Sequence, residues 1–174
     1  MVHSCSAAEL KTEAMIKLPI RLKVRSQWKE LLSEAIIQRN HLEAVTQTEQ
    51  RQTGEYIRPI MLLQAQARSQ NKETLTVDVV RQTLMDDFKI PENQIARATG
   101  EIDEISDIDL QKPDCPIRYI ITVQALREGW DCPFAYVLCS VVESKSSTAI
   151  EQILGRILRL PKATRKQNFS LNLA

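Results

Sequence analysis

At 174 residues the chain is long enough to bury one core and leaves little room for a second domain. Hydrophobic residues at 43% and charged residues at 26% exclude a disordered or fibrous chain, and no apolar run reaches membrane-spanning length. A formal charge of +1 gives no bulk attraction for nucleic acid, so any such partner must be argued from where the charges lie.

Met15–Val24 alternates apolar and basic residues around Pro19, which predicts a short edge strand or hairpin arm. The spacing of Trp28, Leu31, Leu32, Ala35, Ile36, Leu42 and Val45 predicts a long helix over 28–49, with Ser26 as N-cap and the polar run to Gly54 closing it. No motif chemistry appears in this first third, whose expected part is to brace or connect. Ile57–Ala65 is a continuous apolar run of the kind found in strands covered on both faces, and it breaks into an amide-rich loop over 64–72.

Thr76–Lys89 predicts the next helix, with Val79, Val80, Thr83, Leu84 and Phe88 inward and Ile90-Pro91 as its stop. Gln94–Ala98 predicts a short strand closing on a turn at Thr99-Gly100. Glu101–Asp114 holds six acids against Lys112 and reads as a mobile, solvated surface loop, with a carboxylate metal site as the alternative. Strands are predicted at Arg118–Val123 and Ala135–Val142, joined by a turn rich in special residues. From Lys145 onward there are six basic residues against Glu151 alone, so a basic end opposes the acidic loop. The four cysteines form no CxxC pair, and neither histidine is spaced to join them at zinc. Cys139, in an apolar run, reads as a buried small hydrophobe. Reduced thiols and the lack of a signal peptide point to the cytoplasm.

Ser147–Pro161 organises the rest. As a helix it puts Ile150, Ile153, Leu154, Ile157 and Leu158 on one apolar stripe. Gln152, Gly155, Arg156 and Arg159 then share the opposite face, which offers two guanidinium forks and a close approach at glycine. An ordinary solvated helix face is the plainer alternative for this segment alone.

Together with the run Ile117–Val142, this segment resembles motifs V and VI of superfamily 2 helicases and translocases. Gln152, Gly155, Arg156 and Arg159 match the family's QxxGRxxR, and Thr122 with Arg127–Pro133 matches motif V. The wording "ITVQALREGWDCP … QILGRILRLP" looks most like the Res subunit of type III restriction enzymes, and the likeness covers about two thirds of the chain. It implies an α/β fold: a RecA-like three-layer domain with a mainly parallel sheet, preceded by an N-terminal strand or hairpin and long helix. The division implied is 1–55 for the strand and bracing helix, and 56–174 for the second RecA-like domain. That domain would be truncated at its carboxyl end, where the apolar alternation of Asn168–Ala174 stops without a turn.

By the same resemblance the chain is part of an ATP-dependent DNA helicase or translocase. Arg156 and Arg159 would be the arginine finger and its partner, and Gln152 would touch the γ-phosphate or couple it to motif V. Gly129, Asp131 and Gly155 would face the nucleotide. Gln64, Gln66, Thr99, Thr122 and Gln124 would hydrogen-bond the DNA backbone without reading bases. Arg127 and Glu128 would pair across the domain interface or touch a ligand, and Trp130 reads as packing beside Pro133 and Phe134 or as a stacking platform. No GxxxxGK[ST] loop is present, and no DExx box placed to hold magnesium is read. ATP and Mg²⁺ would therefore be bound mainly by a first RecA-like domain outside this chain, and the chain alone would be inactive. Further expected partners are a nuclease domain of the same protein and a modification (methyltransferase) subunit, with no membrane. A non-catalytic RecA-like adaptor is the other reading. A type I restriction motor or repair helicase would use a similar "LREGxDxP" turn.

Overall fold

The structure, a computed structural model, describes residues 16, 17, 23, 25–69, 74–123, 132–142 and 158–173. Its elements are α1 (Trp28–Thr53), β1 (Ile60–Gln64), α2 (Val77–Asp86), β2 (Ile95–Arg97), β3 (Tyr119–Thr122) and β4 (Ala135–Ser140), with 3₁₀ turns at Glu92–Gln94, Pro161–Ala163 and Phe169–Asn172. The four strands form one all-parallel sheet in the order β2-β3-β1-β4. Parallel strands need crossover connections, and α2 lies in the one that leads from β1 to β2, on the far side of β3. The architecture is mixed α/β and consistent with a RecA-like fold.

The continuous apolar run at the start of β1 places it in the middle of the sheet, where all five of its residues are buried. Helix α1 packs against β1 and β4, and its Leu32, Ile36 and Leu42 join the core formed by the strands. The buried stripe of α1 is completed by Arg39, Thr46 and Glu49, polar positions that apolar spacing could not assign inward. Two expected details of this helix are corrected. Gln27, not Ser26, is the N-cap, without a side-chain cap bond, and the helix runs four residues beyond Glu49. It ends at Gly54, whose φ of +76° is left-handed and whose N–H returns to the Gln50 carbonyl.

Thr76 caps α2 by accepting from the Val79 N–H. Val80 and Leu84 are buried as predicted, whereas Val79 is 42% exposed and does not belong to the inward face. The stop comes before the proline: the helix ends at Asp86, Lys89 adopts φ +55°, and the Ile90 N–H reaches back to the Leu84 carbonyl. Of the expected strand over 15–24, Ile16 forms one antiparallel bridge to Arg159, and most of the remainder lies outside the described residues.

The stretch 101–114 lies at the surface as expected, with five of its six acids exposed, but it is also anchored to the domain: Ile105 and Leu110 are buried, Ala98 bridges Asp103, and Arg97 pairs with Glu104. Its anchor is Arg58, 2% exposed, whose guanidinium donates to the carbonyls of Ile117 (2.9 Å), Lys112 (2.9 Å) and Leu110 (2.5 Å) and to the Tyr56 hydroxyl (2.9 Å). One side chain at the amino end of β1 thereby supplies the donors for three carbonyls of the loop that leads into β3.

Replacing Arg58 with Met keeps the volume but strands those carbonyls, each at a cost of roughly 1–3 kcal/mol. Urea unfolding of Arg58→Met should show a loss on the order of 3 kcal/mol or more, whereas Arg68→Met, at an exposed pair, should change stability by no more than about 0.5 kcal/mol. Equal effects from both substitutions would remove Arg58 from its anchoring role.

Candidate functional site

Open parallel sheets place ligands beyond the carboxyl ends of their strands. There β1, β3 and β4 present Gln64, Thr122 and Ser140 in one register row. Gln64 and Thr122 are buried, and all three side chains are uncharged. The row is internally bonded. Ser140 Oγ donates to Gln64 Oε1 at 2.9 Å, and the Val141 N–H donates to the Gln64 carbonyl at 3.0 Å. Gln66, just beyond, donates from Nε2 to the Val141 carbonyl and accepts from the Leu75 N–H through Oε1, both at 2.9 Å. Its amide thus ties the exit of β4 to the segment entering α2. Both glutamines therefore hold the strand ends together, and phosphate would meet amides already engaged with the protein.

Thr99 follows β2 on the same edge of the sheet, since the Ala98 N–H donates to the Ile121 carbonyl. Its hydroxyl accepts from the N–H groups of Glu101 and Ile102, closing the expected turn. Gly100 has no positive φ, and a Cβ there would meet nothing, so that turn does not require glycine. Gln124, Gly129, Asp131, Gln152, Gly155 and Arg156 lie outside the described residues. Arg159 is described: it is exposed and bridged to Ile16, and the chain at Leu160 is extended before the turn at Pro161. The predicted helix over 147–161 therefore does not continue through Arg159. A backbone pairing with the N-terminal segment takes its place there.

Several side chains that sequence patterns did not single out fix this region. Glu49, buried on α1, accepts from the N–H groups of Gln167 (2.7 Å) and Asn168 (3.0 Å). Lys166, also buried, donates to both oxygens of Glu55 (2.8 and 2.7 Å) and to the Pro161 carbonyl (2.9 Å). The segment after Arg159 is held to the end of α1 by these contacts. No apolar periodicity marks Glu49 or Lys166. The only sequence signal is that each charge falls near a turn.

The letters of a DExx box occur at Asp103-Glu104-Ile105-Ser106, but after a turn rather than at a strand end, and both carboxylates are engaged. Asp103 accepts from the N–H groups of Ile105 and Ser106, and Glu104 accepts from the Arg97 guanidinium and N–H. Among the described residues no three His, Cys, Asp or Glu side chains group to hold a metal ion. Cys115, Cys132 and Cys139 are free and buried, and burial pushes the Cys132 thiol up to about 11 and Cys139 to about 12. Neither of these two is a thiolate nucleophile near neutrality. No described helix is long and apolar enough to cross a membrane.

Over 48 residues, 28% of this chain, the sequence is 46% identical to the type III restriction-modification enzyme EcoPI Res subunit of Escherichia phage P1. It matches the EcoP15I Res subunit of Escherichia coli to the same extent. The matched stretch is only 5% of either relative's length. No family model and no solved structure matches. A short part of the chain is thus similar to Res subunits of type III restriction-modification enzymes.

The hydrogen bond from Arg97 holds the Glu104 carboxyl below its ordinary value of 4.5. A carboxyl with a depressed folded pKa adds stability above its unfolded pKa and loses it as pH falls through the folded one. Unfolding free energy measured across the acid range below about pH 4.5 should therefore fall less steeply in Glu104→Gln than in the parent. Identical acid limbs in the two proteins would show that the pair contributes nothing to the loop's pH dependence.

Proposed function

We propose that this chain is the second RecA-like motor domain of an ATP-dependent DNA translocase of the type III restriction Res kind. The observation that carries the reading is the combination of an all-parallel α/β sheet with a segment 46% identical to Res subunits. On this reading residues 56–174 form the motor domain, and 1–55 supply a strand and the helix that braces it. The strand-end row of Gln64 and Thr122, with Gln66 and Thr99 beside it, is the edge that tracks a DNA backbone. Small uncharged groups of this kind suit contact with phosphate oxygens rather than base recognition.

A first RecA-like domain in the same protein would hold ATP with Mg²⁺ on its phosphate loop, where water would attack the γ-phosphorus and ADP would leave. Arg156 and Arg159 would approach that group when the two domains close, Gln152 and Gly155 beside them and Gly129 and Asp131 across from them. In other phosphoryl-transfer enzymes an arginine finger contributes roughly 10³–10⁵ in rate, because its charge is fixed where negative charge spreads in the transition state. Repeated closing and opening would move the domain along the strand. A nuclease domain and a modification subunit complete the proposed assembly. The observed departure of Arg159 from a helix suits this role, since a guanidinium on an exposed extended segment can reach across an interface.

The isolated chain should hydrolyse no ATP with or without DNA, because it lacks the phosphate loop. In the full-length protein, Arg156→Ala should lower DNA-stimulated hydrolysis by at least about a hundredfold with folding intact. Steady turnover by the isolated chain would refute the half-site reading, and near-normal turnover in the mutant would take Arg156 out of the chemistry. A full-length protein with no phosphate loop and no ATPase activity would favour a non-catalytic adaptor.

A further inference from the structure

One residue of the motif-free N-terminal part touches two distant segments, one through its side chain and one through its backbone. Lys17 is 0% exposed. Its backbone N–H donates to the Leu158 carbonyl, and its neighbour Ile16 bridges Arg159. Its ammonium donates to the carbonyls of Pro133 (3.0 Å) and Ala135 (2.6 Å) and lies 3.9 Å from the centre of the Tyr136 ring. Pro133 ends the Arg127–Pro133 run, and Arg159 ends the QxxGRxxR run. These partners are more than a hundred residues from Lys17 along the chain, and one amino acid joins them.

Burying an ammonium is unfavourable unless protein acceptors replace its water. A leucine or valine would fill an edge position at lower cost. What lysine adds is directional attachment. Two carbonyls at the entrance of β4 fix its head, the Tyr136 face lies beneath the charge, and its own backbone is fixed to the Leu158–Arg159 segment.

We infer that Lys17 is a positioning residue that clamps Pro133–Tyr136, at the entrance of β4, to Leu158–Arg159, and so sets where Arg159 stands relative to Pro133. The clamp rests on contacts in the structure, and its catalytic consequence rests on the motor reading above. A misplacement of about 1 Å at reacting groups costs up to about a hundredfold in rate, so loss of the clamp acts on turnover rather than on nucleotide affinity.

The test uses the full-length protein with Lys17→Met, which keeps the stem and removes the donor, and Lys17→Arg, which keeps the donor. Amide hydrogen exchange should rise together in 132–136 and 158–160 in Lys17→Met and stay near parent level in Lys17→Arg. DNA-stimulated kcat should fall about ten- to a hundredfold in Lys17→Met, with the KM for ATP changed less than about twofold and kcat largely recovered in Lys17→Arg. Should Lys17→Met fail to fold, Tyr136→Leu, which removes only the ring beneath the ammonium, is read instead, and the same paired rise in exchange is expected. Unchanged exchange in either segment overturns the clamp. Exchange raised in both with kcat unchanged overturns the positioning role. A parent protein without ATPase activity refutes the motor reading, while the exchange result still decides the clamp.

Discussion

The fold depends on how the amino ends of its parallel strands are satisfied. A parallel sheet leaves backbone carbonyls at those ends without a ladder partner, and burying them unpaired is costly. Here buried cations meet them: Arg39 Nε donates to Pro59 ahead of β1, Arg58 to Ile117 ahead of β3, and Lys17 to Pro133 and Ala135 at the start of β4. Each uses charged donors that bind carbonyls more strongly than neutral ones. The opposite end of the sheet carries the neutral row of Gln64, Thr122 and Ser140. These three cations thereby serve the amino ends of the strands, while the carboxyl ends carry this neutral row and, at β2, the Arg97–Glu104 pair.

The same device extends to α1 and the C-terminal segment. Glu43 lies between Arg39 and Arg118, and those arginines offset the burial that would otherwise raise its carboxyl, leaving it below the ordinary value. Glu49 and the Glu55–Lys166 pair then fasten 161–168 to the end of α1. Helix α1 is therefore more than a cover for apolar surface. It is the rail to which both the strand entrances and the segment following Arg159 are fixed, which gives the first third of the chain a physical purpose that its lack of motifs conceals.

Much of the α/β order was legible because buried parallel strands read as unbroken apolar runs and α2 as a periodic segment. Glycine at 54 marked the end of α1 for a conformational reason that the structure bears out. The rest was hidden for equally physical reasons. Lys17 sits in an alternating apolar-basic run where alternation says outward, and only a long-range carbonyl partner turns it inward. The acidic loop read as solvated because its charges outnumber its apolar residues, and its acids are mostly exposed, but the sequence did not reveal that Ile105 and Leu110 turn inward and that Arg58 binds its carbonyls. Arg159 was drawn into a helix by periodicity, and pairing with Ile16 overrides that pattern. Gln64 and Gln66 were legible as polar strand-end residues, but a sequence does not reveal that their amides are engaged with Ser140, Val141 and Leu75.

The motor reading is tested most directly by a structure of the full-length protein bound to a triphosphate analogue and duplex DNA. The account predicts the analogue between this chain and a first RecA-like domain, with the guanidinium groups of Arg156 and Arg159 within hydrogen-bonding distance of its terminal phosphate and the DNA backbone along the Gln64–Thr122 edge. A nucleotide bound far from both arginines, or DNA on another face of the sheet, would contradict it.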